Sequence, residues 1–293
     1  MSSGYDPDAE IEASRAPLMD HLIELRKRLL VCVLAFGAAF ILCFSFAGPL
    51  YVFLVKPYQA AAAFHTAAGG SHVNPLDLIA AMVGLHPLPD GGKAVQLIYT
   101  APLEILFVKM KLAGLGGIVL AFPVIAFQLY RFVAPGLYRN ERGAFLPFLL
   151  AAPLLFLLGA ALVYFVMLPF VMLFSLGQGI SQDGVSANLL ATVSDYMNLA
   201  TALILAFGLC FQLPVVMTLL GLAGIISSEF MAKGRRYAIV VVVAIAAVVT
   251  PPDPISQLML AIPMCLLYEV SIWCVRLIEL RKKKADDAAE AAA

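Results

Sequence analysis

The chain has 293 residues, of which 62% are hydrophobic and only 13% are charged, and its 19 Lys and Arg residues balance 19 Asp and Glu residues. Soluble domains are about 45–50% apolar and about 25% charged, so this chain carries too little polar surface to cover a water-facing globule. The composition argues against a soluble enzyme, a disordered protein and a nucleic-acid binder. It predicts an all-α polytopic membrane protein for which the bilayer is the main solvent.

Six apolar stretches are candidates for membrane-crossing helices, each of which needs about 20 residues. The first follows a polar, acidic segment, 1–16, so we expect a retained anchor and not a cleaved signal peptide. The fifth has only 13 residues, about 20 Å of helix, and Glu269 interrupts the sixth, so both are predicted to be short spans. The predicted spans are 29–48, 103–127, 144–168, 196–222, 237–249 and 255–275.

The distribution of positive charge predicts the orientation. Fifteen of the 19 Lys and Arg residues fall in the N-terminal segment, the second and fourth connections and the C-terminal segment. Positive residues concentrate on the cytoplasmic side, so both termini are expected to be cytoplasmic, as an even number of spans also requires. The predicted organisation is one membrane domain, 1–280, with a long outer loop, 49–102, that partly forms short helices, and a charged cytoplasmic tail, 281–293.

No catalytic or cofactor motif is found in the sequence. It contains no phosphate-binding Gly-x4-Gly-Lys-Ser/Thr loop and no His-Glu-x-x-His zinc motif, and its four histidines and five cysteines lack metal-ligand spacing. We therefore expect no enzymatic activity, no metal and no bound cofactor.

The segment before the first span is predicted to be an amphipathic helix that starts near Pro17, a residue suited to the first helical position. Leu22 and Leu25 lie on one face at helical spacing, while Glu24 and Arg28 are four residues apart and share another face. The simpler interpretation is an intrahelical Glu24–Arg28 ion pair worth about 0.3–0.5 kcal/mol. The alternative is that Glu24, just inside the membrane boundary, faces a basic ligand.

The connection between the second and third spans, 130–142, is rich in aromatic and charged residues. Phe132, Pro135 and Tyr138 predict a rigid turn at the cytoplasmic interface, where aromatic residues are common in membrane proteins. Glu141 lies between two arginines, so local neutralisation is the simplest interpretation of its charge.

Two polar residues lie inside predicted spans. Gln212, in the fourth span, needs a hydrogen-bond partner. Either its side chain faces other parts of the protein or a water-filled cavity, or it bonds locally to the backbone carbonyl that Pro214 frees. Glu269, in the sixth span, is a candidate functional residue because acids are rare in spans, and a proton-coupled carrier would use such a group.

The last outer connection, 250–254, is short and stiff because three of its five residues are proline. Asp253 follows Pro251 and Pro252 and is predicted to cap the N-terminus of the sixth span. Pro254 then takes the first helical position, which its fixed backbone angle suits.

Five motifs occur in order along the chain, namely HLIELRKRL at 21–29, FVAPGLYRNER at 132–142, FQLP at 211–214, TPPD at 250–253 and AIPM at 261–264. Each motif is short, but the ordered set resembles the TatC family, the multispanning receptor subunits of the twin-arginine protein translocase. The resemblance covers about residues 17–280 and agrees with six spans and two cytoplasmic termini.

The resemblance implies a site on the cytoplasmic face for the twin-arginine signal peptides of folded export substrates. It places Glu24 and Glu141 at the positions that hold the paired arginines. A planar guanidinium matches a carboxylate with two parallel hydrogen bonds, which lysine cannot do. Arg26 and Phe132 match positions that shape this site. The other residues expected to line it are Leu22, Leu25 and Tyr138.

The resemblance also implies an oligomeric complex with single-span TatA- and TatB-type subunits, surrounded by membrane lipid and without nucleic acid. Gln212 takes a position where many members carry a buried glutamate, so a hydrogen bond to a partner remains available without the charge. Ala247 and Val248 fall at a partner-docking position. Pro57 matches a residue of the family's outer cap over spans one and two and is also expected to contact a partner. The outer loop 64–93 matches no motif and is assigned no role.

We therefore expect a non-enzymatic core receptor of the twin-arginine translocase in the bacterial inner membrane, exporting folded proteins with the proton-motive force. The alternative is a six-span secondary transporter of a small solute, coupled through Glu269 or Gln212. Carriers bind near the membrane midplane, whereas Glu24 and Glu141 cluster at the cytoplasmic rim. A passive scaffold would be insensitive to the loss of either carboxylate, and an intramembrane protease lacks a visible nucleophile–base pair.

Overall fold

The structure, a computed structural model, describes residues 7–68, 74–87, 89, 97–133, 145–182, 185–187, 191–249 and 254–291. This part of the chain is almost entirely helical, which confirms the all-α class. A π-helical turn, Val163–Met167, joins α5 to α6. The helices are α1 (Pro7–Ser45), α2 (Ala47–Ala67), α3 (Pro75–Met82), α4 (Glu104–Val133), α5 (Phe145–Leu162), α6 (Leu168–Gly177), α7 (Val193–Cys210), α8 (Leu213–Leu222), α9 (Ser228–Val249) and α10 (Pro254–Ala291).

Five helical segments of the described chain are long and apolar enough to cross a membrane, and they correspond to predicted spans one to four and six. The segment at the sixth span has 28 residues, so it is longer than the short span predicted from the position of Glu269. The predicted fifth span lies in α9, which has 22 residues because the helix begins nine residues before the apolar stretch. Its first turns carry charge, so its crossing stays a prediction. The five segments are Leu22–Ser45, Glu104–Phe132, Leu150–Gly177, Val193–Leu222 and Gln257–Lys284.

Glycines set the close approach of the spans. A Cβ added to Gly116 of α4 would lie 2.7 Å from the Cys43 Sγ of α1, and one added to Gly159 of α5 would lie 2.8 Å from the Phe207 carbonyl oxygen of α7. A Cβ on Gly221 of α8 would likewise meet α10 at 2.9 Å. Lipid is as apolar as the side chains, so tight van der Waals packing at small residues holds such helices together.

The main core lies where α2, α4, the π-helical turn and α6 surround α7, with α9 and α10 packed beside them. Its large side chains, such as Phe207, Met197 and Leu112, are fully buried. Other large apolar residues point outward, as expected for surfaces that lipid covers. The core therefore fixes the relative positions of the spans, and the lipid-facing surface is left to the bilayer.

The predicted outer loop 49–102 contains most of α2, which with 21 residues is longer than the short helices expected there, and all of the eight-residue α3. Helix α3 ends at Met82, and Gly84, two residues later, has a φ of 85°, a left-handed conformation that favours glycine. A short antiparallel hairpin, β1 (Ile180–Gln182) and β2 (Val185–Ala187), follows α6 and was not predicted. On the cytoplasmic side, α10 continues as helix to residue 291, so most of the predicted tail extends the sixth span.

Candidate functional site

Glu24 lies on the cytoplasmic part of α1 and is paired with Arg28. The Arg28 Nε donates to Glu24 Oε1 at 3.1 Å, and a second guanidinium nitrogen contacts the same oxygen. The Glu24 side chain is 39% exposed, whereas Arg28 is 14% exposed. The intrahelical pair that the spacing predicts is therefore present, and it leaves the carboxylate accessible from the surface.

Apolar side chains flank this carboxylate. Leu22 is 57% exposed and Leu25 is 42% exposed, and Arg26 is also exposed. The cytoplasmic end of α1 thus presents leucine side chains and a carboxylate side by side on one short segment. Such a surface suits a ligand that is itself both cationic and apolar.

Residue counting along two packed helices, α1 and α4, places Phe132 at about the height of Glu24. Helices α1 and α4 pack as antiparallel neighbours, and Gly117 of α4 meets the Phe40 backbone of α1. Phe132 comes fifteen residues after that crossing and Glu24 sixteen residues before it, so both lie about 23 Å away on the same side. The half-buried Phe132, one residue before the end of α4, is therefore placed at about the level of the carboxylate.

The other half of the predicted site lies outside the described residues. Tyr138 and Glu141 fall in the segment 134–144, and the turn residues Pro251, Pro252 and Asp253 fall in 250–253. Their predicted roles stay predictions. The helix that Asp253 was expected to cap does begin at Pro254.

Gln212 lies at the break between α7 and α8 and bonds across to another helix. Its Nε2 donates to the Ala152 carbonyl of α5 at 3.0 Å, with the Gly208 carbonyl at 3.5 Å. The carbonyl that Pro214 frees is not its acceptor, so the local alternative is wrong. The side chain of Gln212 also lines an apolar groove of 520 Å³ between α4, α5, α7 and α8.

Glu269 is neutralised by a helix-to-helix ion pair. Arg235 of α9 contacts both of its carboxylate oxygens, with Nε to Oε1 at 2.8 Å and the second nitrogen to Oε2 at 2.9 Å. The acid that suggested a proton carrier is thus occupied by an arginine near the cytoplasmic end of α9.

The predicted partner contacts differ in exposure. Val248 is 87% exposed near the outer end of α9, and Ala247 beside it is exposed as well. Pro57, in contrast, is buried inside α2. Ala247 and Val248 therefore present a surface in this structure, and Pro57 does not.

Sequence reasoning missed Glu104, a buried acid at the outer end of α4. Its Oε2 accepts from the backbone N–H groups of Thr100 and Ala101 at 2.6 and 3.2 Å, and its Oε1 accepts from the Ser194 N–H of α7 at 3.0 Å. The carboxylate ties the start of α4 to the start of α7. A glutamate that accepts from the backbone N–H three residues earlier forms half of a capping box. An acid at the start of a predicted helix could therefore have revealed this local part of its role.

The sequence model of the family described as Sec-independent protein translocase protein (TatC) matches residues 20–263. The chain belongs to the TatC family. The TatC proteins of Magnetococcus marinus and Aquifex aeolicus are 39% and 36% identical to it, over 95% and 93% of this chain and 90% and 100% of their own lengths. Two crystal structures of the twin arginine translocase receptor TatC, one of them in DDM, have a TM-score of 0.68 and 35% identity, and cover 88% and 86% of this chain and 98% of theirs.

Membership of the TatC family confirms a polytopic, non-enzymatic component of a protein translocase and leaves the small-solute transporter without support. The geometry agrees, because both groups that a carrier would have used are engaged within the protein. Glu269 is held by Arg235, and Gln212 donates to the Ala152 carbonyl.

Proposed function

We propose that this TatC-family protein is the signal-peptide receptor of a twin-arginine translocase in the bacterial inner membrane. It binds the paired arginines of a signal peptide at its cytoplasmic face and, with TatA- and TatB-type subunits, exports folded proteins using the proton-motive force. The observation that carries this proposal is the accessible Glu24 carboxylate beside exposed Leu22 and Leu25, in a chain whose solved relatives are translocase receptors.

Arg28 supports the proposal because it already places a guanidinium on Glu24. Arg28 is largely buried and stays beside the carboxylate, whereas the 39% exposed side of Glu24 can accept hydrogen bonds from a second guanidinium. An arginine from a peptide can form two parallel hydrogen bonds with a carboxylate, and lysine can form only one at a time. The site therefore favours arginine over lysine although both carry the same charge.

The second arginine is assigned to Glu141, and Tyr138 and Phe132 are assigned to the same site, on the basis of the family motif. The equal height of Phe132 and Glu24 supports this assignment, because the segment with Tyr138 and Glu141 follows directly from the end of α4. Arg26, exposed on α1, shapes the approach to the carboxylate. The exposed leucines receive the apolar part of the peptide.

The partner subunits are assigned to two places. Ala247 and Val248 offer an exposed apolar surface near the outer end of α9, which suits a single-span helix. Gln212 lines the apolar groove beside α4 and α5 and can offer a partner its amide oxygen, since its nitrogen already donates to Ala152. Several copies of the complex in lipid form the working translocase.

Binding of a twin-arginine signal peptide to the purified protein in nanodiscs tests the proposal. Affinity is measured for the Arg-Arg peptide and its Lys-Lys version, with the native protein and with Glu24→Gln and Glu141→Gln. Glu229→Gln is the matched control, because Glu229 pairs with Lys233 at the same four-residue spacing on α9. We expect each site variant to weaken Arg-Arg binding by about tenfold, since a hydrogen bond to a charged group is worth about 1.5–3 kcal/mol, and the control to leave it unchanged.

Equal binding of the two peptides, unaffected by Glu24→Gln and Glu141→Gln, would remove the site assignment and favour a passive scaffold. Weakening by Glu229→Gln to the same extent would show that general surface charge attracts the peptide. Increasing salt distinguishes the two, because screening reduces a diffuse attraction at all carboxylates alike.

A further inference from the structure

The outer helix α2 is attached to the third and fourth spans through two tyrosine hydroxyl groups. Tyr164, in the π-helical turn, donates to the Phe53 carbonyl at 2.9 Å, and Tyr196, in α7, donates to the Leu54 carbonyl at 2.6 Å. Two different elements thus reach consecutive carbonyls of a third helix. Carbonyls within an α-helix ordinarily accept from the N–H four residues further on, so these side-chain donors need a local cause.

Pro57 is that cause at the Phe53 carbonyl. Proline has no N–H, so the Phe53 carbonyl, four residues earlier, has no donor within the helix, and the proline ring pushes this carbonyl aside. The Tyr164 hydroxyl supplies the missing donor. The next carbonyl, of Leu54, accepts the hydroxyl of Tyr196, and the residue four positions after Leu54 is Tyr58, which has an N–H, so this acceptor does not arise from the proline.

The rings of the two donor tyrosines are buried against side chains of α2, although the Phe53 ring itself is 47% exposed. The Tyr164 ring stacks on the Phe53 ring with centroids 4.3 Å apart, and the Tyr196 ring packs against Tyr58 at 5.4 Å. Pro57 and the two donor tyrosines are buried. Loss of either hydroxyl would leave its acceptor carbonyl without that donor, and an unsatisfied carbonyl away from water costs free energy.

We propose that Pro57, Tyr164 and Tyr196 form a cap lock, in which the proline leaves the Phe53 carbonyl of α2 without a helical donor, Tyr164 supplies that donor, and Tyr196 adds a second bond that fixes the helix over the third and fourth spans. Tyr164 and Tyr196 act as positioning residues for the outer cap. The cap lock also sets one wall of an apolar cavity of 380 Å³, where Phe53, Leu54 and Tyr164 face residues of α1, α4 and α5. This role of Pro57 is internal and does not depend on signal-peptide binding.

Accessibility of the cap in the purified full-length protein tests the cap lock. A single cysteine is placed at Ala61, a fully buried residue of α2, in a background without the five native cysteines, and its labelling rate by a maleimide is measured. Gln59→Cys, an exposed position on the same helix, provides the reference rate. Tyr164→Phe keeps the ring and removes the hydroxyl, and we expect it to raise the labelling rate by about tenfold.

Pro57→Ala separates the cap lock from simple packing, because alanine restores the N–H that pairs with the Phe53 carbonyl. In that background Tyr164→Phe is expected to change the labelling rate by less than about twofold. Tyr196→Phe is expected to raise the labelling rate in both backgrounds, since its acceptor, the Leu54 carbonyl, does not depend on Pro57. Tyr99→Phe, at an exposed outer tyrosine, is the control and leaves the rate unchanged.

An equal effect of Tyr164→Phe with and without Pro57 would overturn the cap lock, and so would no effect in the native background. If Pro57→Ala fails to give a monodisperse protein by gel filtration, Tyr164→Phe is compared with Tyr164→Leu. The cap lock predicts that loss of the hydroxyl alone produces most of the effect of losing the ring. If Tyr164→Phe left the labelling rate unchanged while Tyr164→Leu raised it, the cap lock would be overturned.

Discussion

Arg235 and Glu269 form a two-hydrogen-bond ion pair that joins the cytoplasmic half of α9 to α10. The Tyr268 hydroxyl donates to the Met231 carbonyl at 2.9 Å in the same half of this helix pair. Further towards the cytoplasm, Glu279 of α10 accepts from the first residue of α9, with its Oε1 at 2.8 Å from the Ser228 N–H. The charged start of α9 is therefore held by polar contacts from α10.

Breaking the Arg235–Glu269 pair is expected to weaken the protein without stopping export. Glu269 lies inside the sixth span, where lipid and not water covers the exposed parts of the pair. Glu269→Gln or Arg235→Gln leaves a charge without its partner there and should lower the free energy of unfolding by more than the value of about 1 kcal/mol for a water-exposed pair. The double variant should lose no more than the larger single loss, because the two groups serve one interaction. Thermal unfolding in detergent and export in cells measure the two quantities.

The result that would contradict this prediction is a loss of export with Glu269→Gln and none with Arg235→Gln. Glu269 would then have a functional role apart from its partner. Lys233→Gln provides the comparison, because its pair with Glu229 is highly exposed and should contribute nothing measurable.

Gln212 is expected to stabilise the contact between the third and fourth spans. Gln212→Leu removes the donor to the Ala152 carbonyl and should lower the free energy of unfolding by about 0.6 kcal/mol, the average for such bonds between membrane helices, and by at most about 1.7 kcal/mol. Gln212→Glu should be less stable than the native protein at neutral pH, because an ionised carboxylate cannot donate to a carbonyl. Chemical unfolding in detergent measures both variants.

Gln178→Leu serves as the control for Gln212, since Gln178 is exposed at the end of α6. If Gln212→Leu proves as stable as the native protein, the contact does not depend on this hydrogen bond. The two spans would then be held by packing alone.

The crossing of α5 and α7 should not tolerate a methyl group. A Cβ at Gly208 would lie 2.6 Å from the Phe156 ring, so we expect Gly208→Ala to destabilise the protein by about 1–3 kcal/mol. Replacing Phe156 by leucine in the same chain should recover part of the loss by making room. Gly37→Ala is the matched control, because a Cβ there meets nothing within 4 Å and alanine favours helix. Equal effects at the two glycines would show that helix propensity and not the crossing decides the outcome.

The site shows where sequence reasoning works and where it stops. The Glu24–Arg28 pair follows from spacing on one helix, and it is present. The partner of Gln212 could not be chosen from local sequence, because the acceptor lies sixty residues earlier in the chain. The sequence predicts Pro57 as a partner contact, but the structure buries this residue inside α2. The carbonyls of Phe53 and Leu54 on the same helix accept hydroxyl groups from two other elements.

By itself the sequence determined the membrane class, the positions of the apolar helices and the family, because hydropathy, helical period and ordered motifs are properties of contiguous residues. The pairing of Glu269 with Arg235, the acceptor of Gln212, the Glu104 link between α4 and α7 and the cap lock were decided only by the tertiary structure. Each of these joins groups far apart in the chain. Inside a membrane protein a polar group must find a partner, but only the packing of the helices decides which one is within reach.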